Sequence, residues 1–389
     1  MMRRGLLVTV IRLLPCLLVL SLGEGNVNAQ SSNGPTTAFI IKIIPERPAG
    51  RFKVIQGKNH SVNARVNMAV RRGDLLILDA ETQASIACRG VNGEIVTVPL
   101  KPGRQGSPCT EPCPPEICGI EYNGSMIKVP RGKDTSNAQY PIVLSPRATL
   151  LRNLRPEIRW APIASAKSVT YRVTIFGENM QAIWSRDVDS ETTLAYPETE
   201  PPLARGRTYK VIVTAQGRSS DEEGGAGLGF ETVTAEQARE LDHEAQKRKS
   251  LGLSEPQTRV LIANLYAGRE LYAYPSKALY AEAIEQLCRA YDIVKDPVIA
   301  RKLADLYLLI GLPREAEKKY LEALEVLDPE DLEETGLTQE HLATAYEQLG
   351  IFDHALRRLD EAIKAYEQLG DSAAVEELKK RQQRLKKNN

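Results

Sequence analysis

The order of apolar and polar positions divides the chain into two unlike halves. In the first half, apolar residues come in short runs or alternate with polar ones, the period of β-strands. Residues 39–44 form one such run, and β-prone runs follow at 52–55, 66–70, 75–78, 84–88 and 94–100. Gly57, Arg72-Gly73-Asp74 and Asn92-Gly93 punctuate them, and Asn-Gly between apolar runs marks a hairpin. A second β region spans 140–232. Within it Val169, Tyr171, Val173 and Ile175 alternate with Thr170, Arg172 and Thr174, which predicts a strand with one buried face. Residues 158–160, 182–184, 192–196 and 209–215 supply its other strands, with Trp160 in the core. Residues 217–227, rich in glycine and charge, read as a long mobile hairpin or a hinge.

Strand signals stop at Thr234-Ala235-Glu236-Gln237, a capping box that opens a helix. Beyond it three segments stand in register: Ile262-Ala263 with Tyr266, Leu303-Ala304 with Tyr307, and Leu342-Ala343 with Tyr346. Each is followed by a second helix: Ala283, Leu287 and Ala290; Ala316, Tyr320 and Ala323; Ala355, Leu359 and Ala362. Small residues recur where two helices must cross closely, and large ones fill the adjacent holes. Ser254-Glu255-Pro256-Gln257 and Asp296-Pro297 open first helices, Pro313 and Asp353 open second helices, and Gly311 and Gly350 fall between the helices of the second and third units. Extra residues around Tyr274-Pro275-Ser276 and across 328–336 read as loop insertions, and 372–387 reads as a final capping helix.

This two-helix pattern resembles the tetratricopeptide repeat over about residues 256–387, although the tyrosine spacing departs from a strict period. Two weaker resemblances lie upstream. Val70-Arg71-Arg72-Gly73-Asp74-Leu75-Leu76, then 84–88 and the Gly93-centred hairpin, resemble a ferric-citrate-regulator-type (FecR-like) β module. Leu203, Gly206 and Tyr209 resemble the tyrosine corner of fibronectin type III and immunoglobulin-like sandwiches. As a whole the chain resembles secreted bacterial tetratricopeptide proteins of the kind seen in cyanobacteria. The expected fold is multidomain: an all-β N-terminal half of two small domains, then all-α tetratricopeptide-type repeats. Its expected parts are a signal peptide (1–29), a β domain with a Cys-rich loop (30–137), a β-sandwich (138–233), a helical linker (234–255) and the repeats with their capping helix (256–389).

Composition sharpens the compartment and narrows the chemistry. The 389 residues are 42% hydrophobic and 26% charged, ordinary for folded domains. Arg3 and Arg4, the apolar run 13–22 and Val27-Asn28-Ala29 make a secretory leader with cleavage expected after Ala29, leaving no transmembrane segment. Four of the remaining cysteines, Cys88, Cys109, Cys113 and Cys118, lie within 31 residues, the last three in the Pro-rich segment 107–119, whose prolines argue against a regular element. With a leader they are disulfide candidates, in any of three connectivities. Their spacing is not that of zinc ribbons, so no metal is expected. Cys288 is left over as an inert core thiol. A formal net charge of +1 argues against nucleic acid as a partner. The sign is split: residues 30–234 hold 25 basic and 20 acidic side chains, and 235–389 hold 23 and 29. The two halves therefore attract each other or face different partners.

No catalytic motif is present, and neither an enzyme activity nor a cofactor is expected. The tetratricopeptide resemblance implies a groove lined by first helices, with Asn264, Arg301, Asp305, Glu340, Thr344, Glu347 and Gln348 as the binding candidates. Glu340 and Glu347 point to a basic or neutral peptide. The expected function is an exported, non-enzymatic protein–protein interaction scaffold. The alternative is a cell-envelope protein that binds or senses cell-wall glycan through its β domains, using Trp184, the basic surplus of 30–234 and surface aromatics.

Overall fold

The computed structural model describes residues 36–44, 52–56, 60–90, 94–118, 138–164, 168–223, 229–268 and 278–388. The leader, the Asn92-Gly93 turn and the insertion at Tyr274-Pro275-Ser276 lie outside them.

The first domain comprises β1 (Thr36–Ile44), β2 (Phe52–Gln56), β3 (His60–Asn63), β4 (Ala69–Arg71), β5 (Leu75–Leu78), β6 (Gln83–Arg89), β7 (Ile95–Pro99) and β8 (Gly103–Gly106). They form two four-stranded antiparallel sheets, β4-β1-β6-β7 and β3-β2-β5-β8. β1 reads as an unbroken apolar run because both its faces are covered. Ala38, Ile40 and Ile43 enter the core with Phe52, Val54, Leu76 and Ile86, while Phe39 and Ile41 point the other way. A bulge between Ile40 and Lys42 returns Ile43 to the inner side. Of the three open connectivities the structure has Cys88–Cys109 and Cys113–Cys118. The second bridge closes around a single helical turn, α1 (Pro115–Cys118), in a stretch whose prolines argued against any regular element.

The second domain comprises β9 (Ile142–Ser145), β10 (Thr149–Leu151), β11 (Glu157–Ala161), β12 (Thr170–Phe176), β13 (Ala182–Asp189), β14 (Thr193–Ala195), β15 (Thr208–Ala215), β16 (Arg218–Ser219) and β17 (Phe230–Thr232). One sheet runs β14-β11-β9 and the other β10-β17-β15-β12-β13, with β16 on β15. Trp160 is 1% exposed and meets the Tyr171 ring edge-on at 5.5 Å. The Tyr209 hydroxyl accepts the Ala204 N–H at 2.9 Å and donates to the Ala204 carbonyl at 3.2 Å, pinning the turn before β15. The first part of the expected mobile linker is ordered. β16 runs into a 3₁₀ turn, Ser220–Glu223, because Glu223 is buried in a two-bonded pair with Arg147 at 2.6 and 2.7 Å.

Eight helices follow among the described residues: α2 (Ala235–Lys249), α3 (Glu255–Gly268), α4 (Tyr280–Ile293), α5 (Pro297–Leu309), α6 (Pro313–Val326), α7 (Leu332–Leu349), α8 (Phe352–Leu369) and α9 (Ser372–Asn388). α3 packs on α4, α5 on α6 and α7 on α8, each a helical hairpin stacked on the next. The repeated alanines sit at these crossings with at most 1% exposure; Tyr266 and Tyr346 are buried beside them, while Tyr307, the middle tyrosine of the register, is half-buried against the same core and Tyr320 of α6 is fully buried. The Thr234 capping box is present, and Asp296 accepts the N–H groups of Val298 and Ile299 at the head of α5. Residues 332–336, expected in a loop, are instead the first turn of α7. Asp331 caps it by accepting the Glu334 N–H at 3.2 Å.

The sandwich and the helices share one core. Ile142, Leu150, Ala161 and Val233 pack with the helix residues, and buried Arg147 donates to the Ile310 carbonyl at 2.7 Å. The first domain meets the array through Phe39, Ile41, Ala87, Ile117 and Leu261. No described helix is long and apolar enough to cross a membrane.

Candidate functional site

The first helices α3, α5 and α7 present one face to the N-terminal β domain, and the groove candidates meet there. Asn264 is 4% exposed and donates to the Ile117 carbonyl at 2.8 Å; beside it Lys302 donates to the Cys118 carbonyl at 2.8 Å. The turn α1 is therefore read by its last carbonyls, the groups a helix C-terminus leaves open. Arg301 and Asp305, placed in an open groove by the sequence, are 8% and 2% exposed. They form a buried network: Arg301 Nη1 donates to Asp305 Oδ2 at 2.9 Å and its Nε to Glu334. Asp305 Oδ1 accepts Tyr320 Oη at 2.6 Å and lies 2.9 Å from His341 Nδ1. Burial alone would raise the Asp305 carboxyl, but His341, Arg301 and Tyr320 outweigh it and hold it below the usual range.

Towards the C-terminal end the candidates are met by the chain's own last helices. Glu340 accepts the Tyr366 hydroxyl at 3.3 Å. Arg381 of α9 donates to Thr344 Oγ1 at 2.7 Å and pairs with Glu347 at 2.7 Å. Gln348 is half-buried, and its Oε1 has no hydrogen-bond partner. The structure thus brings Arg301 and Asp305 together and seats Asn264, Glu340, Thr344 and Glu347 against other parts of the same chain.

The residues that matter most here were absent from the sequence-derived set. Arg65 donates to Asp331 through Nε at 3.0 Å and Nη2 at 2.5 Å. Arg71 and Gln56 both donate to Glu333, and His60 Nε2 donates to the Glu330 carbonyl at 2.7 Å. All four donors belong to the β domain, and their three acceptor residues, Glu330, Asp331 and Glu333, lie on or just before the first turn of α7. Burial pushes Glu333 up despite Arg71, and pushes Asp296 up despite Arg65. Burial also acts on Glu334, but Arg301 and Arg65 win and hold it down. The available signal was Asp331 followed three residues later by Glu334, the start of a helix N-terminus.

Between the two bodies lies a cavity of about 260 Å³ whose lining includes Gln56, Arg65, Arg301, Glu334, Glu340 and His341. Among the described residues no three His, Cys, Asp or Glu side chains converge as metal ligands. Trp184 is 9% exposed and packs on Tyr196 at 5.4 Å, so it is a core residue of the sandwich and offers no stacking surface. Cys288, on α4, is half-buried, and burial raises its thiol, which suits an inert role.

No protein-family model matches this chain, and no curated protein resembles it at a significant level.

Proposed function

We propose that the chain is an exported, non-enzymatic docking scaffold built on a tetratricopeptide-type array. The observation that carries this reading is the use the first-helix face is already put to. The repeated Ala–Tyr notches lock α3–α8 into stacked hairpins, and the first-helix face of α3, α5 and α7 grips another folded body, the chain's own β domain, by side-chain and carbonyl recognition. A face that recognises a folded domain is suited to a protein partner, and the assembly it makes is the platform on which that partner sits. Two disulfides support an oxidising destination, because such bridges persist outside the cytosol.

The test is crosslinking in the native cell envelope with a photoreactive residue in place of Gln348, at the half-open end of the first-helix face. A discrete protein adduct is expected. Its absence, or labelling of cell-wall glycan alone, overturns the reading.

A further inference from the structure

The cavity under the β domain has more negative than positive side chains around it. Asp331, Glu333, Glu334, Glu340 and Glu377 line it, against Arg65, Arg71, Arg301 and Lys302. Asp296 and Asp305 stand just behind, each in electrostatic contact with that lining. Several of these carboxylates are spoken for. Glu377 is not: it is the one exposed residue of the lining, it has no partner among the described residues, and it marks the solvent side.

Two buried polar atoms on the β-domain wall lack partners. Gln56 is 1% exposed; its Nε2 is committed to Glu333, and its Oε1 accepts nothing. Arg65 spends Nε and Nη2 on Asp331, and its Nη1 donates to nothing. An unsatisfied buried polar group is costly, so each is a standing demand for a complementary atom. The volume, about 260 Å³, is several times the ~30 Å³ share of one water.

We propose that this cavity is a receptor for a guanidinium group on an alkyl stem, carried by an arginine-bearing segment of a partner or by free arginine. The guanidinium fork supplies several N–H donors in one plane, which serves Gln56 Oε1 and the carboxylates of the mouth together. Its fixed positive charge meets the exposed Glu377 carboxylate on the solvent side. A carbonyl or carboxylate oxygen further along the ligand meets Arg65 Nη1. A bare metal ion answers none of this, because no three carboxylates among the described residues converge on a point. The apolar part of the lining, Phe39, Met68, Val260 and Val298, suits the methylene stem. This inference rests on the docking reading above, and it names the chemistry of the docked segment.

The experiment is calorimetric titration of the full, disulfide-intact chain with three probes: a blocked tripeptide with arginine at its centre, its citrulline analogue, and free arginine. Citrulline keeps the shape and removes the charge. The arginine peptide is expected to bind at least about tenfold more tightly than the citrulline peptide. Glu377→Gln, on an exposed position that leaves the fold intact, is expected to weaken it roughly threefold. Free arginine binding as tightly as the peptide supports the site and identifies a solute as the source; much weaker binding identifies a partner segment. Equal binding of arginine and citrulline peptides, or none of either, overturns the proposal. Arginine-peptide binding without any crosslinked protein keeps the receptor and sinks the docking reading. A crosslinked partner with no arginine-peptide binding sinks the receptor alone.

Discussion

Asp74 is 3% exposed, in the turn after β4, and its Oδ2 accepts the Arg71 N–H at 2.8 Å. Burial, with Glu333 nearby, raises its carboxyl to about 7 even though the Arg71 bond opposes the shift. In the unfolded chain an aspartate titrates near 4. The raised value means the folded state favours the protonated form. The associated stability is full below about pH 4 and is lost as pH rises through about 7. Asp74→Asn, which keeps an acceptor and carries no charge, is expected to flatten that loss. Thermal melts at pH 5 and pH 8 should differ less in the variant, the gap closing by an amount on the order of 2–4 kcal/mol. Asp305 shows the opposite balance, because three partners reach its two oxygens. Core residues such as Trp160 and the Ala–Tyr notches were legible in the sequence, since burial leaves a periodic trace. The roles of Asp74 and Asp305 were not, because beyond their neighbours Arg71 and Arg301 they depend on groups from other elements, Glu333 for the first and Tyr320 and His341 for the second.

Secondary elements were legible where their ends carry local chemistry. The Thr234 box, the Asp296-Pro297 start and the αL glycines Gly311 and Gly350 each sit where the sequence placed them. The start of α7 was misplaced because a dense acidic stretch resembles a solvated loop; acids also favour the first turn of a helix, which is what they form here. The one-turn α1 was missed because its fixing contacts come from α3 and α5. Gly268, at the end of α3, is where that turn presses closest: a Cβ there would lie 2.4 Å from the Pro115 carbonyl carbon and 2.5 Å from the Glu116 nitrogen. Backbone cannot step aside as a side chain tip can. Gly268→Ala is therefore expected to lift α1 off α3, with loss of the Asn264 and Lys302 bonds and about 1–3 kcal/mol of stability. Hydrogen exchange at Ile117 and Cys118 reports it; unchanged protection there counts against this account of the seam.

At the scale of the whole molecule, the charge split seen in the sequence offered two outcomes, attraction between the halves or separate partners. Arg65–Asp331, Arg71–Glu333 and Arg152–Asp242 realise the first. Which arginine meets which acid was beyond sequence reasoning, because Arg65 and Asp331 are 266 positions apart and Arg71 and Glu333 are 262 apart. The double reversal Arg65→Glu and Arg71→Glu sets like charges against the head of α7. It is expected to release the β domain from the array, raising the radius of gyration in small-angle scattering and splitting one unfolding transition into two. A single transition and an unchanged radius would show that the apolar seam alone holds the two bodies together.

That seam also has a consequence for biosynthesis. Phe39 and Ile41 belong to the first strand described, yet their cover includes Leu261 of α3 and the turn held by Asn264. A chain made from its N-terminus therefore finishes one sandwich while an oily stripe on its outer side still waits for residues more than two hundred positions downstream. During that interval the stripe is bare, and escort by a holdase, or rapid completion of the helices, decides between assembly and clumping.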